Sequence, residues 1–189
     1  FVALATLAQR GRLTVGNLCL NPTRTGFYRV LSRMGGDVRL LPEREEGGEP
    51  TGTIEAGHAS LLGVDIPPDE IPSVIDELPL IACLAARANG VTTITGAGEL
   101  RVKESDRISR VVSNLRLLGA DAEELTDGMS ITGSDAPLKG RVVSYGDHRI
   151  AMAFGVLAMD DRNTIEIDDP GCVAVSYPEF WDDVRSILK

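Results

Sequence analysis

The chain has 189 residues, of which 43% are hydrophobic and only 4% aromatic, and it carries a formal net charge of −9. This composition supports an aliphatic core large enough for one large domain or two small ones, while the acidic charge argues against nucleic acid or an anionic membrane as a partner. Three cysteines without a CxxC pair argue against a disulfide framework or structural zinc and favour the reducing cytoplasm.

The first residues, Phe1 to Ala8, are almost entirely apolar and lack a basic segment, so they resemble the middle of a helix and we expect the chain to be part of a longer protein. Further along, apolar periodicity and turn residues define the elements. Helices are predicted over residues 1–9, 28–34, 80–88, 105–118, 150–159 and 178–188. Strands are predicted over residues 12–15, 38–41, 52–55, 91–94, 130–132 and 164–167.

These elements repeat one plan three times. A helix without a polar face leads into a strand, and a second helix follows; the likeness of Met34–Asp37 to Leu118–Asp121 marks the same point in the first two copies. A helix that is apolar all round is a buried one, and alternating helices and strands pack helices against sheets. We therefore predict an α/β (α+β) fold of several buried helices wrapped by sheet, and not a single doubly wound sheet.

The predicted repeat units span about residues 1–62, 63–137 and 138–189. The clearest break in the pattern is Gly63–Pro72, which contains three prolines. It either separates two domains or joins the first repeat to the second within one domain, and we predict the second arrangement. Arg44–Pro50 is predicted to be an exposed turn.

Charged residues gather before the helix predicted over residues 105–118. Lys103, Glu104 and Arg107 lie there within five residues. Helix N-termini favour anions, so two cations at this place suit a phosphate or carboxylate ligand. Glu104 lies four residues before Ile108, which predicts that it leans toward the apolar side of the helix, where a carboxyl can serve as a general acid. The alternative is a solvated helix start held by local ion pairs.

Two other predicted helix starts carry similar chemistry. Asp76 directly precedes the apolar helix of the second repeat, and Asp147 is a natural N-cap of the apolar helix in the third. Arg149 follows in the first turn, where a cation is disfavoured unless an anion joins it. His148 lacks metal-ligand spacing and is predicted to form hydrogen bonds. Together, the three helix starts suggest a site that binds a multiply anionic substrate and transfers protons.

Five segments of the chain resemble the 5-enolpyruvylshikimate-3-phosphate synthase family, whose members are 3-phosphoshikimate 1-carboxyvinyltransferases. They are Asn21–Gly26, Ile75–Pro79, Leu100–Ile108, Gly146–Met152 and Ser176–Phe180. Asn21–Gly26, and Val175 where many members carry a lysine, resemble class II of the family. The resemblance implies an inverse α/β barrel-like domain of three βαβαββ units. The chain would be the C-terminal domain of a two-domain enzyme, without the N-terminal segment that completes that domain.

The resemblance also implies an activity in aromatic amino-acid biosynthesis. Members transfer the enolpyruvyl group of phosphoenolpyruvate to the 5-hydroxyl of shikimate 3-phosphate and release phosphate, without a cofactor or a metal. By resemblance, Asp76 accepts the proton of the 5-hydroxyl, and Glu104 transfers protons at the methylene carbon of phosphoenolpyruvate. The implied substrate-binding residues are Arg24, Lys103, Arg107, His148 and Arg149.

The implied partners are the two substrates and the N-terminal half of the enzyme, with no nucleic acid or membrane, and the full-length protein is expected to be a cytoplasmic monomer. The chain alone is expected to be inactive. Two alternatives stay open. A sister enzyme on the same fold transfers enolpyruvyl to UDP-N-acetylglucosamine, and the chain could instead be a non-catalytic binding half of a split enzyme.

Overall fold

The computed structural model describes residues 1–187. Its helices are α1 (Val2–Leu7), α2 (Gly26–Arg33), α3 (Leu78–Ala85), α4 (Arg107–Leu117), α5 (His148–Ala158) and α6 (Phe180–Ile187). Its strands are β1 (Arg12–Cys19), β2 (Asp37–Glu46), β3 (Glu49–Gly57), β4 (Asp65–Ile66), β5 (Val91–Ile94), β6 (Asp121–Leu125), β7 (Gly128–Thr132), β8 (Lys139–Val142) and β9 (Thr164–Ile167). Short 3-10 helices cover Ile71–Ser73, Ile75–Glu77, Gly98–Val102 and Pro170–Val175.

The strands form three separate sheets that are variants of one plan. The second sheet has the order β4-β5-β7-β6, with β4 and β5 parallel and the other neighbours antiparallel. The first sheet, β1-β3-β2, repeats the antiparallel part of this order, and the third, β8-β9, repeats the parallel part. The prediction of several sheets around buried helices is therefore confirmed.

Helices α1, α3 and α5 lie inside these sheets. In α3, the residues Ile81, Ala82 and Leu84 have no exposed surface, because the helix has no polar face to turn toward water. Burying a leucine side chain of this kind stabilises the fold by about 1.5–3 kcal/mol. Helix α4 is amphipathic instead, and its apolar side, which includes Ile108 and Leu115, faces the core.

Three strands escaped prediction, each for a physical reason. Strand β4 is two residues long and ends at Pro67, because proline has no N–H to continue the ladder. Strand β6 is an exposed edge strand with two glutamates, a residue type depleted in strands. Strand β8 contains Gly140, which weakens any pattern of alternation.

The segment Arg44–Pro50 is partly strand. Both β2 and β3 extend into it, and only Gly47 and Gly48 form the turn. Both glycines have positive φ values, 60° and 85°, as a two-residue hairpin turn requires. Gly63–Pro72 holds β4 and part of a 3-10 helix, so it is built into the second sheet.

The fold brings the N-terminal ends of α3, α4 and α5 together, since each of these helices packs against the other two. Every helix start selected from the sequence belongs to this group. Among residues 1–187, no helix combines the length and apolar character needed to cross a membrane.

Candidate active site

Arg107, the first residue of α4, lies at the centre of the site. Its side chain is 1% exposed, yet it contacts carboxylates from three segments. Nε donates to Asp147 Oδ2 at 2.9 Å, and Nη2 donates to Glu104 Oε2 at 2.6 Å. Nη1 lies 3.8 Å from Asp76 Oδ1. A buried guanidinium needs such partners, because a lone charge in the interior is strongly disfavoured.

Asp147 connects α4 to α5. Its side chain is fully buried; it caps α5 by accepting from the N–H of Arg149 at 3.0 Å and also accepts from Ser105 Oγ at 2.9 Å. Burial alone would raise the pKa of this carboxyl, but the hydrogen bonds from Arg107 and Ser105 favour the charged form and hold the pKa below its ordinary value. Asp147 is therefore a fixed negative charge that orients Arg107.

Asp76 and Arg149 form the more accessible pair of the site. Arg149 Nη2 donates to Asp76 Oδ2 at 3.0 Å, and Nη1 donates to the backbone oxygen of Asp76 at 3.1 Å. The side chain of Arg149 is 32% exposed and that of Asp76 is 41% exposed, so both can reach a ligand. The pair joins the start of α3 to the start of α5. An anion placed beside it would meet two guanidinium groups, those of Arg149 and Arg107.

Glu77 belongs to the same group but escaped the sequence analysis. It is half-buried, and burial together with the charge of Asp76 raises its pKa, although Arg149 and Arg24 oppose the rise. The pKa of Tyr28 is raised by burial and by the charge of Glu77. The only available signal was the pair of adjacent acids, Asp76 and Glu77, before a buried helix.

Glu104 and Lys103 lie in a bend before α4 and not in its first turn. The side chain of Glu104 is 55% exposed, so the expectation that it leans on the apolar side of the helix is wrong. The reason is that α4 begins only at Arg107, so Glu104 lies before the helix, where its carboxylate accepts from the guanidinium of Arg107. Lys103 Nζ donates to Glu99 Oε1 at 2.6 Å and contacts neither Asp76 nor Glu104.

His148 and Arg24 flank the group. His148 is half-buried at the first position of α5, and its ring has no hydrogen-bond partner among residues 1–187, so the predicted hydrogen bonding is not seen there. Arg24 lies exposed in the loop before α2, and its charge acts on Glu77. The structure thus joins Asp76, Glu104, Arg107 and Arg149 directly, with the remaining predicted residues around them.

Two other charges of the same sequence run have a structural role. Arg101 donates to the backbone oxygens of Thr126 and Leu125 and pairs with Glu124, which fastens the bend to the β6–β7 hairpin. Asp106 caps α4 by accepting from the N–H of Ser109 at 3.0 Å. These two residues are structural, but Arg101 is held by the distant hairpin and not by the local ion pairs of a solvated helix start.

The arrangement can hold an anion against guanidinium groups while a carboxylate exchanges a proton nearby. A cavity of about 230 Å³ adjoins Asp76, Glu77 and Arg149, and its other walls are apolar. Among residues 1–187, no group of three or more His, Cys, Asp or Glu side chains is placed to hold a metal ion.

Comparison with known proteins identifies the family of this site. The family model described as EPSP synthase (3-phosphoshikimate 1-carboxyvinyltransferase) matches residues 1–184. The chain belongs to the EPSP synthase family. Its relatives include the 3-phosphoshikimate 1-carboxyvinyltransferase of Aquifex aeolicus, 46% identical over 190 residues that cover all of this chain and 44% of the relative. The enzyme of the same name from Acidithiobacillus ferrooxidans is 50% identical over 180 residues, covering 95% of this chain and 41% of the relative.

Solved structures agree with the family assignment. EPSP synthase from Acinetobacter baumannii superposes with a TM-score of 0.91 at 36% identity, covering 98% of this chain and 43% of that one. The enolpyruvyl transferase NikO from Streptomyces tendae, at 17% identity and a TM-score of 0.73, shares the fold. The predicted inverse α/β barrel-like fold is therefore confirmed. The chain spans less than half the length of the EPSP synthase relatives that it matches.

Proposed function

We propose that this chain forms part of an enzyme that transfers the enolpyruvyl group of phosphoenolpyruvate to the 5-hydroxyl of shikimate 3-phosphate and releases phosphate. One observation carries the proposal. The buried guanidinium of Arg107 contacts Asp76, Glu104 and Asp147 at the meeting point of three helix starts, in a chain of the EPSP synthase family. Both substrates are anions, and preplaced cations stabilise the charge that develops as they react.

Each carboxylate has a separate role in the proposed reaction. In the addition step, the 5-oxygen bonds to C2 of phosphoenolpyruvate as its proton passes to Asp76, and the methylene carbon gains a proton from Glu104. In the elimination step, the new methyl group returns a proton to Glu104, the double bond re-forms, and the bond between C2 and the phosphate oxygen breaks. The released phosphate carries away the proton that Asp76 took up. The carboxylates of Asp76 and Glu104 are partly exposed and can reach a ligand, whereas both oxygens of Asp147 are already bonded to Arg107, Ser105 and the N–H of Arg149.

The cations hold the substrates. Arg107 and Arg149 bind the anionic groups of phosphoenolpyruvate, because their guanidinium groups face the same carboxylate, Asp76. Lys103 and His148 border this position. Arg24, from the first repeat, lies close enough for its charge to act on Glu77 beside it. No step of this route draws on a cofactor or a metal.

We infer that the chain is one domain of three units, about residues 1–62, 63–137 and 138–189. Strands β4 and β8 lie near the start of the second and third units, which supports these bounds. The active enzyme would also contain a region equivalent to the remainder of the relatives' length, which supplies the facing wall of the cleft and completes the third sheet. Such a protein would be a monomer in the cytoplasm, and the three free cysteines fit a reducing compartment.

A hybrid enzyme tests the proposal. This chain replaces the matching 44% of the Aquifex aeolicus relative, and phosphate release from phosphoenolpyruvate and shikimate 3-phosphate is measured. The parent relative is the positive control, and UDP-N-acetylglucosamine as acceptor is the negative one. We expect the hybrid to release phosphate with shikimate 3-phosphate only. A hybrid that unfolds cooperatively but releases no phosphate, or one that prefers the UDP-sugar, would contradict the proposal.

A further inference from the structure

One side of α4 follows the segment that leads into α5. Asn114 Nδ2 donates to the backbone oxygen of Val143, and its Oδ1 accepts from the N–H of Val143, both at 2.9 Å. One turn earlier, the guanidinium carbon of Arg110 lies 3.8 Å from the ring centroid of Tyr145. Arg107 then binds Asp147, as described above. We call these three contacts, Asn114–Val143, Arg110–Tyr145 and Arg107–Asp147, the ladder.

The ladder joins one face of α4 to a tight turn. Residues three and four apart on a helix share a face and are separated by about 4.5 to 6 Å along its axis. Residues 144–147 form that turn, which the N–H of Asp147 closes by donating to the backbone oxygen of Ser144 at 3.0 Å. The segment passes α4 in the antiparallel sense, so Val143, Tyr145 and Asp147 meet Asn114, Arg110 and Arg107. Ser144, between them, uses its N–H to bond Asp168 Oδ1 at 2.8 Å.

Both residues of the middle contact, Arg110 and Tyr145, have an energetically unfavourable feature. Tyr145 has a φ of 57°, a left-handed conformation that residues with a bulky side chain rarely adopt. Nε of Arg110 is buried and has no hydrogen-bond partner among residues 1–187. The face of the tyrosine ring therefore supplies the electrostatic partner of this guanidinium. Gly146 beside Tyr145 also has a positive φ, 71°, so the turn and the contact with Arg110 together hold Tyr145 in its left-handed conformation.

We propose that Arg110 and Tyr145 are positioning residues for the active site. Their contact keeps residues 143–147 against α4 and so places the carboxylate of Asp147 between Arg107 and the start of α5. Neither residue touches the predicted substrates; both act through Asp147, which binds the guanidinium of Arg107 and the backbone N–H of Arg149. The substrate part of this inference rests on the proposed function, with phosphoenolpyruvate as the ligand of the two arginines.

Two substitutions of Tyr145 separate the ring from the backbone. Tyr145→Asn removes the ring but keeps a residue that accepts the left-handed conformation, whereas Tyr145→Phe keeps the ring and removes only the hydroxyl. Amide hydrogen exchange by NMR then reports on the ladder in this chain. The N–H of Arg149 is bonded to Asp147 Oδ1, and the N–H of Val143 is bonded to Asn114 Oδ1.

In Tyr145→Asn we expect exchange at Arg149 to accelerate by roughly 3- to 30-fold, the factor that corresponds to the loss of a cation–π contact. Exchange at Val143 should stay at the parent rate, and Tyr145→Phe should match the parent at both amides. Equal acceleration at both amides would show general loosening and would overturn the proposal. No acceleration at Arg149 would also overturn it.

The hybrid enzyme supplies the functional measurement. Tyr145→Asn and Arg110→Leu should raise the KM for phosphoenolpyruvate by roughly 3- to 30-fold and change kcat less, because misplaced arginines weaken binding more than chemistry. Arg110→Lys should restore part of the affinity. Faster exchange with an unchanged KM would make the ladder purely structural and overturn the positioning role. An inactive parent hybrid would overturn the proposed function, while the exchange rates would still decide whether the ladder places Asp147.

Discussion

Arg107 shows how a buried charge is held by partners of different exposure. Asp147 and Arg107 are both fully enclosed, and removing one partner of such a pair leaves the other charge unpaired. Asp147→Asn keeps a good N-cap residue for α5 but removes the negative charge. We expect a loss of about 3–5 kcal/mol in the free energy of unfolding, measured by urea denaturation. The matched control is Asp106→Asn, which also keeps a cap and loses only the partly exposed pair with Arg101, at a cost below about 1 kcal/mol.

The two accessible carboxylates are expected to act in chemistry more than in binding. In the hybrid enzyme, Asp76→Asn and Glu104→Gln each keep shape and hydrogen-bonding capacity but cannot accept a proton. General acid–base catalysis contributes roughly 10²–10⁴-fold, so kcat should fall by about that factor. Glu123→Gln, on exposed strand β6, should keep the parent kcat. Near-normal turnover in Glu104→Gln would make Glu104 a structural partner of Arg107 only.

Arg149 is expected to show the opposite kinetic pattern. Its guanidinium is partly exposed and already oriented by two contacts to Asp76. Arg149→Ala removes a charge-assisted contact to a substrate anion, so steady-state kinetics should show a higher KM for phosphoenolpyruvate with a smaller change in kcat. If kcat fell while KM stayed constant, Arg149 would act on the transition state and not on substrate binding.

The sequence was enough to identify the site residues that lie in charged segments, but not the residues that position them. Arg107 and Asp147 were visible because each lies close to the start of a predicted helix. Arg110 was hidden, since an arginine on an amphipathic helix normally points to water, and only the three-dimensional path of residues 143–147 gives it a partner. The exposure of Glu104 could not be predicted either, because it depends on Arg107 starting the helix.

At the scale of elements, charged contacts also join the buried helices α3 and α5 at their C-terminal ends, opposite the site. Asp160, just after α5, is buried and accepts from Arg162 Nη2 at 2.7 Å, and Arg87 Nε from the end of α3 lies 3.1 Å away. Arg87 also donates to the backbone oxygen of Ala136 at 2.8 Å. These contacts join the C-terminal ends of two helices to the loop after β7.

This cluster predicts a dependence of stability on pH. Burial tends to raise the pKa of Asp160, but hydrogen bonds from Arg162 and the charge of Arg87 hold it below the ordinary value of 3.8. Because the folded-state pKa is the lower one, the carboxylate stabilises the fold above pH 3.8, and this contribution is lost as the pH falls through the folded-state pKa. Asp160→Asn should therefore lower the free energy of unfolding by about 3 kcal/mol at neutral pH, and the difference from the parent should shrink in acid.

Thermal or urea unfolding between pH 7 and pH 2 measures this difference. Asp161→Asn is the matched control. The carboxylate of Asp161 is exposed, so its replacement should change the free energy of unfolding little at any pH. A constant difference between Asp160→Asn and the parent across the whole range would contradict the prediction.

Most of the helices and strands could be predicted from the sequence, because long runs of periodic apolar residues define α3, α4 and α5. The short strands β4 and β8 were not, since β4 has only two residues before Pro67 and Gly140 interrupts the pattern of β8.

At the scale of the whole molecule, the three sheets differ in how many partners their equivalent strands have. In the second sheet β5 lies between β4 and β7, whereas within residues 1–187 β9, its counterpart in the third, pairs only with β8. The outer edge of β9 therefore presents unpaired backbone groups, as any edge strand does. Sequence showed the repeat but not this asymmetry, because the patterns of Val91–Ile94 and Thr164–Ile167 are alike and pairing depends on distant strands.

The free edge of β9 predicts a difference between this chain alone and the hybrid enzyme. If the remaining region of the relatives adds a strand there, the amides of β9 that face away from β8 become hydrogen-bonded. Backbone amides exchange slowly only when they are bonded in structure that rarely opens. Hydrogen-exchange mass spectrometry should show β9 peptides with greater protection in the hybrid, while β5 peptides, already paired on both edges, stay unchanged. Equal exchange of β9 in both proteins would mean that its edge stays open and that the third sheet is complete with two strands.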